Sequence, residues 1–271
     1  RFQIAYSIKT NPHPQILQAA RDQGFWAETI HPDEIDHARR CGFDRDAVVV
    51  NGPLQQSLHT GATTFPPIRA VFADSLRDLQ ALQNLTTPPP IVGLRVRPTP
   101  PLSSRFGIDL TDPAVFERCT ELISRLPADV KLGLHVHHAS STAGHNRWWG
   151  YLRGAVYWGK ALSTVAERPI EVLDFGGGWH PDDWTTVFVP GLIRRSPMLT
   201  DAFPDLSLLL AEPGKALCQP LGAVVARIVD VRPGGRTAPR SAVLDASIAE
   251  LSNIDFHPHR ICTRSDGVWR R

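Results

Sequence analysis

Lys9, Glu28, His135, His137, a run of three glycines and Glu212 hold the chemistry this sequence makes available. Lys9 closes a short apolar run, residues 2–8, and Asn11-Pro12 follows it. A lysine presented into a cavity from a buried strand end can titrate low and form a Schiff base with an aldehyde. The competing reading is a surface lysine with its stem on the strand end and its head in water. Gly176-Gly177-Gly178 follows another apolar run. Such a triplet frees the backbone to turn N–H groups toward an anion such as phosphate, or simply makes a tight turn. No GxGxxG or GxxxxGK(S/T) pattern surrounds it, so a dinucleotide fingerprint or a P-loop is not supported. Glu212 follows Leu208-Leu209-Leu210-Ala211 and needs a cationic or N–H partner. A protonated pyridine nitrogen would serve, as would an arginine such as Arg97. By strand alternation His135 and His137 share one side and His138 takes the other. Three readings of the pair stand: an imidazole stacked on a planar ring, two ligands for zinc or iron, or a core histidine bonded to backbone.

These residues need elements to hold them together. Apolar runs at 3–9, 25–29, 47–51, 70–73, 91–97, 130–137, 170–174 and 207–212 read as strands. Several lack polar alternation, as in Ala47-Val48-Val49-Val50, which suits parallel strands covered on both faces. Amphipathic stretches at 14–22, 32–40, 114–126 and 149–165 read as helices, the second opened by Pro32-Asp33-Glu34. Eight strands alternating with helices predict a (β/α)8 TIM barrel, with an open doubly wound sheet as the alternative. In a barrel, Lys9, Glu28, the histidines, the glycines and Glu212 all fall at strand C-terminal ends, on one rim. After Pro220 the pattern changes. Residues 222–231 and 241–246 flank Pro233-Gly234-Gly235 as a hairpin, the start of a second, β-rich domain. The expected division is a barrel over 1–220 and a partial, truncated β-domain over 221–271.

Composition sets the limits. With 42% hydrophobic and 21% charged residues the chain is an ordinary globular one, and 271 residues suffice for a barrel. A net charge of +2 gives no electrostatic case for nucleic acid or an anionic membrane. Cys41, Cys119, Cys218 and Cys262 form no CxxC pair, so neither a zinc ribbon nor a disulfide framework is expected, and the cytoplasm is the expected compartment. No apolar run reaches the ~18 residues of a membrane span. The sequence opens inside a strand-like run, which points to further residues before it.

Together these motifs resemble a family. Ser7-Ile8-Lys9-Thr10-Asn11, Gly133-Leu134-His135-Val136-His137, Asp174-Phe175-Gly176-Gly177-Gly178 and Glu212-Pro213-Gly214 stand in the order of the pyridoxal-phosphate-dependent decarboxylases with an alanine-racemase-like barrel, the ornithine, diaminopimelate and arginine decarboxylases. Asn51-Gly52-Pro53, Arg105-Phe106-Gly107-Ile108 and Val243-Leu244-Asp245-Ala246 are similar to further family segments. The resemblance implies pyridoxal 5'-phosphate as cofactor and no metal. It implies that Lys9 carries the cofactor as a Schiff base and that His137 stacks on the ring. Ser140, Gly176, Gly177, Gly178 and Gly214 would bind phosphate, Glu212 would pair with the ring N–H, and Glu28 would lie near Lys9. The implied reaction is loss of carbon dioxide from the external aldimine of an α-amino acid or its derivative, in a homodimer with shared active sites. The alternatives are a pyridoxal-phosphate-binding barrel without turnover, and a metal-dependent barrel hydrolase using His135 and His137.

The chain departs from the family in several places. His138-Ala139-Ser140 stands where Gly-Ser is usual, Lys215 where arginine is usual, and His31 where serine is common. The family's Cys-Glu-Ser segment, whose cysteine comes from the partner subunit, and a later tyrosine find no match, and Cys262 has the wrong context. The expectation is therefore a sequence that is an excerpt, or an impaired activity. Asn253 cannot replace the arginine that diaminopimelate decarboxylases carry near that point. His257, His259 and Arg260 could meet an anionic distal group, such as that of a citryl-diamine conjugate.

Overall fold

A computed structural model of the chain describes residues 1–53, 66–97, 104–138, 144–237, 239–247, 262–265 and 268–270. These divide into two compact units, Arg1–Pro220 and Leu221–Arg271.

In the first unit eight parallel strands close on themselves in sequence order. They are β1 (Phe2–Ser7), β2 (Trp26–Thr29), β3 (Val48–Val50), β4 (Ala70–Ala73), β5 (Ile91–Arg95), β6 (Lys131–His135), β7 (Ile170–Asp174) and β8 (Leu208–Ala211). Closure is made by β1 on β8, with Phe2, Gln3 and Ile4 opposite Leu209, Leu210 and Ala211. The eight-stranded barrel expected from the apolar runs is thus the fold, and the open sheet is not.

Helices cover the outside: α1 (Pro14–Asp22), α2 (Pro32–Arg40), α3 (Leu76–Gln83), α4 (Pro113–Ser124), α5 (His145–Ala166), α6 (Val189–Ala202) and the short α7 (Lys215–Cys218). Local chemistry starts several of them. Proline occupies the first turn of α1, α2 and α4, where its missing N–H costs nothing. The Asp112 carboxylate accepts from the N–H groups of Ala114 (2.9 Å) and Val115 (3.3 Å) at the start of α4. His31 caps α2: its Nδ1 accepts from Asp33 N–H at 3.2 Å. Three helices escaped the sequence pattern, the one-turn α7 among them. In α3 the stretch is only eight residues, opened by Ser75, whose hydroxyl donates to the Asp78 carboxylate and accepts from the Asp78 N–H. In α6 Pro197 interrupts the periodicity, and the carbonyl of Ile193 that it leaves without an amide donor accepts from the Ser196 hydroxyl at 2.9 Å.

Two hydrophobic cores result. A large one lies between strands and helices, and includes Leu17, Ile35, Leu79, Leu122, Leu152 and Leu173. A smaller one fills the barrel itself: Ala5, Trp26, Val49, Ala70, Phe72, Ile91, Val172, Leu208 and Leu210. Phe72 occupies the space above two glycines. A Cβ on Gly93 would fall 2.3 Å from its ring and one on Gly133 would fall 3.0 Å from it. The barrel is a packed interior and not a pore.

In the second unit β9 (Ile228–Arg232) pairs antiparallel with β10 (Ser241–Leu244), and β11 (Thr263–Ser265) with β12 (Val268–Arg270). The hairpin forms around the Pro-Gly-Gly turn as its sequence predicts, but β9 starts at Ile228 and not at 222.

Candidate active site

The inward side chains of the barrel change character at one level. Two residues beyond the apolar interior, every strand presents a polar group: Ser7, Glu28, Asn51, Asp74, Arg95, His135, Asp174 and Glu212, from β1 to β8 in turn. The strand period of two makes this ring, because each polar residue shares the face of the inward apolar one before it, as Trp26 precedes Glu28 and Leu210 precedes Glu212. All are buried except Arg95, which is nearly so. They form a polar floor on the apolar plug, at the end of the barrel where the C-termini of the strands open.

Lys9 rises from this floor. The strand stops at Ser7, and Ile8–Thr10 forms a 3-10 turn, so Lys9 sits just beyond the strand and not in it. Its Nζ donates to both oxygens of Glu28, at 2.7 and 2.6 Å. The lysine side chain is 39% exposed while that of Glu28 is wholly covered, so the amine faces the mouth and the acid lies beneath. Burial pulls the ammonium down, but Glu28 and then Glu212 outweigh it, and Lys9 is held above its ordinary value. The free site thus keeps Lys9 charged, contrary to the low-titrating amine expected from its strand-end position. Burial pushes Glu28 up, against the pull of Lys9.

Glu212 follows the last residue of β8 and is the centre of the floor. Its Oε1 accepts from Asn51 Nδ2. Its Oε2 lies 3.6 Å from His135 Nε2 and 3.7 Å from His137 Nδ1. Burial would raise Glu212, but His135, His137 and Lys9 together hold it well below the usual carboxylate range. Burial lowers both rings, His137 to about 4, so they are neutral at pH 7. Asp174 goes the other way: burial and then Glu212 beside it push it well above the usual range. Arg95 is committed to Asp74 at 3.3 Å, which also accepts from Gly107 N–H at 3.2 Å. Arg97, weighed from sequence as the partner of Glu212, is not paired with it among the described residues.

The charges of the floor pair off as Lys9 with Glu28 and Arg95 with Asp74, leaving Glu212 as a buried anion beside neutral rings. Buried polar atoms without a partner collect around it: Nδ1 and Nε2 of His135 and Oδ2 of Asp174. Such a set needs a cationic group to complete it. One nitrogen from each histidine and an oxygen of Glu212 lie within 4.8 Å of one another, a spacing that also suits a metal ion.

The glycine turn lies against Glu212. Gly176 and Gly178 have φ of 61° and 87°, which only glycine adopts readily. A Cβ on Gly177 would come within 2.3 Å of the Glu212 carbonyl oxygen. Not every amide of the turn is turned outward. Gly176 N–H donates to Asp174 Oδ1 (2.9 Å) and Gly177 N–H to His137 Nδ1 (3.2 Å), so both tie the turn to the floor. Gly214 closes the same rim, and a Cβ there would fall 2.0 Å from Thr10 Oγ1. His138 turns away from His137 and packs its ring edge on Tyr151. Ser140 lies outside the described residues, as do Asn253, His257, His259 and Arg260. Asn51, Asp74, Asp174 and Arg95 were not singled out from sequence as site residues. The signal was there in the spacing: each lies two positions beyond an inward apolar or glycine residue at a strand end.

Comparison with known proteins gives this arrangement a family. A diaminopimelate decarboxylase from Bacteroides thetaiotaomicron is 23% identical over 281 aligned residues, covering 92% of this chain and 68% of its own length. In three dimensions the fold matches a diaminopimelate decarboxylase from M. jannaschii in complex with L-lysine (TM-score 0.69, 18% identity, 91% of this chain and 60% of that one). It also matches an ornithine decarboxylase from Entamoeba histolytica (TM-score 0.59, 17% identity, 79% and 58%). The chain therefore spans about two thirds or less of the proteins it resembles. The pyridoxal binding domain of the pyridoxal-dependent decarboxylases matches residues 1–219, and the chain belongs to that family, whose cofactor is pyridoxal phosphate.

Proposed function

We propose that this chain is the cofactor-binding part of an enzyme that decarboxylates an α-amino acid or a derivative of one. The observation that carries the reading is the juxtaposition of an accessible amine, Lys9, with a buried, uncompensated acid, Glu212, at one barrel mouth. When bound, pyridoxal phosphate supplies an aldehyde for the amine and an electron-accepting ring for the charge left by departing carbon dioxide.

The residues divide the work. Lys9 holds the cofactor covalently, and to do so its Nζ must first lose a proton. Glu28, whose oxygens lie 2.6 and 2.7 Å away, is the acceptor in reach, and burial pushes it up, the direction a base needs. Glu212 accepts from the ring N–H and keeps that nitrogen protonated, which makes the ring a better electron sink. His137, neutral and tethered by Gly177 N–H, offers its face to the ring. Gly178, Gly214 and Ser140 hold the phosphate. Gly176 and Gly177 shape the turn, since their amides are committed to Asp174 and His137. Arg95 and Asp74 neutralise each other on the floor.

Relatives named diaminopimelate decarboxylase make diamino acids and their conjugates the first substrates to test. The site is further proposed to act within a homodimer, which light scattering of the full-length protein would check. The decisive experiment is spectroscopic. Purified with pyridoxal phosphate, the protein is expected to show a visible band that Lys9→Ala abolishes, and borohydride reduction should leave an adduct on Lys9 by mass spectrometry. An unchanged spectrum in Lys9→Ala removes that residue from the mechanism. Release of carbon dioxide from an amino-acid panel then separates an enzyme from a cofactor-binding barrel without turnover. Metal analysis of the same sample tests the histidine pair as ligands.

A further inference from the structure

The use of Glu212 depends on which way its carboxylate faces, and one residue decides that. Asn51 extends from the end of β3 and gives its Nδ2 hydrogen to Oε1, from 161 residues away in sequence. Oε2 is thereby left on the side of His135 and His137. The backbone of Asn51 has no need of the side chain, because its own N–H donates to Thr29 O at 3.0 Å. The side chain is also a costly one to bury. Asn51 is 3% exposed, and a covered primary amide is tolerated only when bonded. Gly52, at φ 86°, turns the chain away directly afterwards, so that β3 delivers this one polar group to the floor and leaves.

The kind of donor matters as much as its place. An arginine or lysine at this position would cancel the charge of Glu212 and remove its need for a cation. An amide orients the carboxylate and leaves its charge intact.

We propose that Asn51 is a positioning residue: it clamps Oε1 of Glu212 so that Oε2 is presented to the ring nitrogen of the cofactor. This rests on the reading of Glu212 as the partner of that nitrogen. The test compares two ligands on the full-length protein: pyridoxal phosphate, and its analogue with carbon in place of the ring nitrogen. Binding is followed by titration of the cofactor-free protein, with circular dichroism to verify folding. Asn51→Leu, which keeps the bulk and removes the donor, should weaken pyridoxal phosphate about tenfold or more, the loss of one hydrogen bond to a charged group. It should leave the analogue unchanged. In a Glu212→Gln background the same substitution should have no further effect on either ligand. Asn51→Ser, which retains a donor, should recover part of the loss. Should the Leu variant fail to fold, Asn51→Ala, which also removes the donor, replaces it with the same expected outcome. Equal losses for both ligands, no loss, or a loss that persists in the Glu212→Gln background would each overturn the proposal. If Glu212→Gln alone weakens both ligands equally in a protein that binds pyridoxal phosphate, the assignment of Glu212 falls first, and the role of Asn51 falls with it.

Discussion

The two ends of the barrel are built from the same strands and carry charge in opposite ways. At the end where strands begin, Lys131 pairs with Glu171 at 2.9 Å, with side chains 45% and 25% exposed. Lys131 also donates to the Ser207 hydroxyl at 3.2 Å at that same end. At the other end, the Glu28 and Asp74 carboxylates are covered and their ion pairs sit on apolar packing. Ion pairs in water contribute at most about 1 kcal/mol. Covered ones are costly to assemble and are poor evidence of stability. The strand-start end is therefore finished for solubility, and the strand-finish end holds charges whose justification has to be chemical.

Substitutions can break that contrast, and the largest effect belongs to the mouth. Lys9→Ala should lower the decarboxylation rate by about a thousandfold or more, measured as carbon dioxide release, while the apoprotein remains folded. Glu212→Gln should cost about a hundredfold in kcat, as expected for an electrostatic partner of developing charge. If Lys131→Ala at the opposite end reduced the rate comparably, the division of labour between the ends would be wrong.

Gly177→Ala comes next, because its methyl would meet the Glu212 carbonyl at 2.3 Å. A loss of about 1–3 kcal/mol in denaturant unfolding is expected, with weaker cofactor binding. The pH dependence of the cofactor-free protein sharpens the picture. Burial puts His137 at about 4, and His135 is lowered too, so the unfolded chain binds protons that the folded site refuses. Stability should fall as pH drops from about 6.5 toward 4, and His137→Gln should flatten that part of the curve of melting temperature against pH. The smallest effect is expected from Lys131→Ala, under about 1 kcal/mol and diminishing with added salt.

How much of this could be read beforehand follows from the physics of each element. Strands covered on both faces leave continuous apolar runs, so all eight were visible in the sequence, with β1, β5 and β6 ending two residues sooner than those runs do. Helix α6 was hidden because Pro197 breaks its period and a hydroxyl makes good the loss only in three dimensions. Lys9, His137 and Glu212 stood out as members of motifs. Asp74 and Arg95 did not, since a single polar residue at a strand end looks like the first residue of a turn, and Asn51 stood in a family-like segment without a role. Their common level emerges only from register, with Ser7 opposite Glu28 and Arg95 opposite His135. Nor could spacing foretell that the amide of Gly177 is already engaged, because its acceptor, His137, follows the neighbouring strand β6.

The aromatic stopper formed by Phe72 over Gly93 and Gly133 has a consequence for traffic. It turns the mouth into a blind alley: whatever enters past Lys9 must depart by the same door, gas and amine alike. Among the described residues the packed strands offer reagents no passage from behind, so a guest bound at the mouth should slow chemical modification of Lys9.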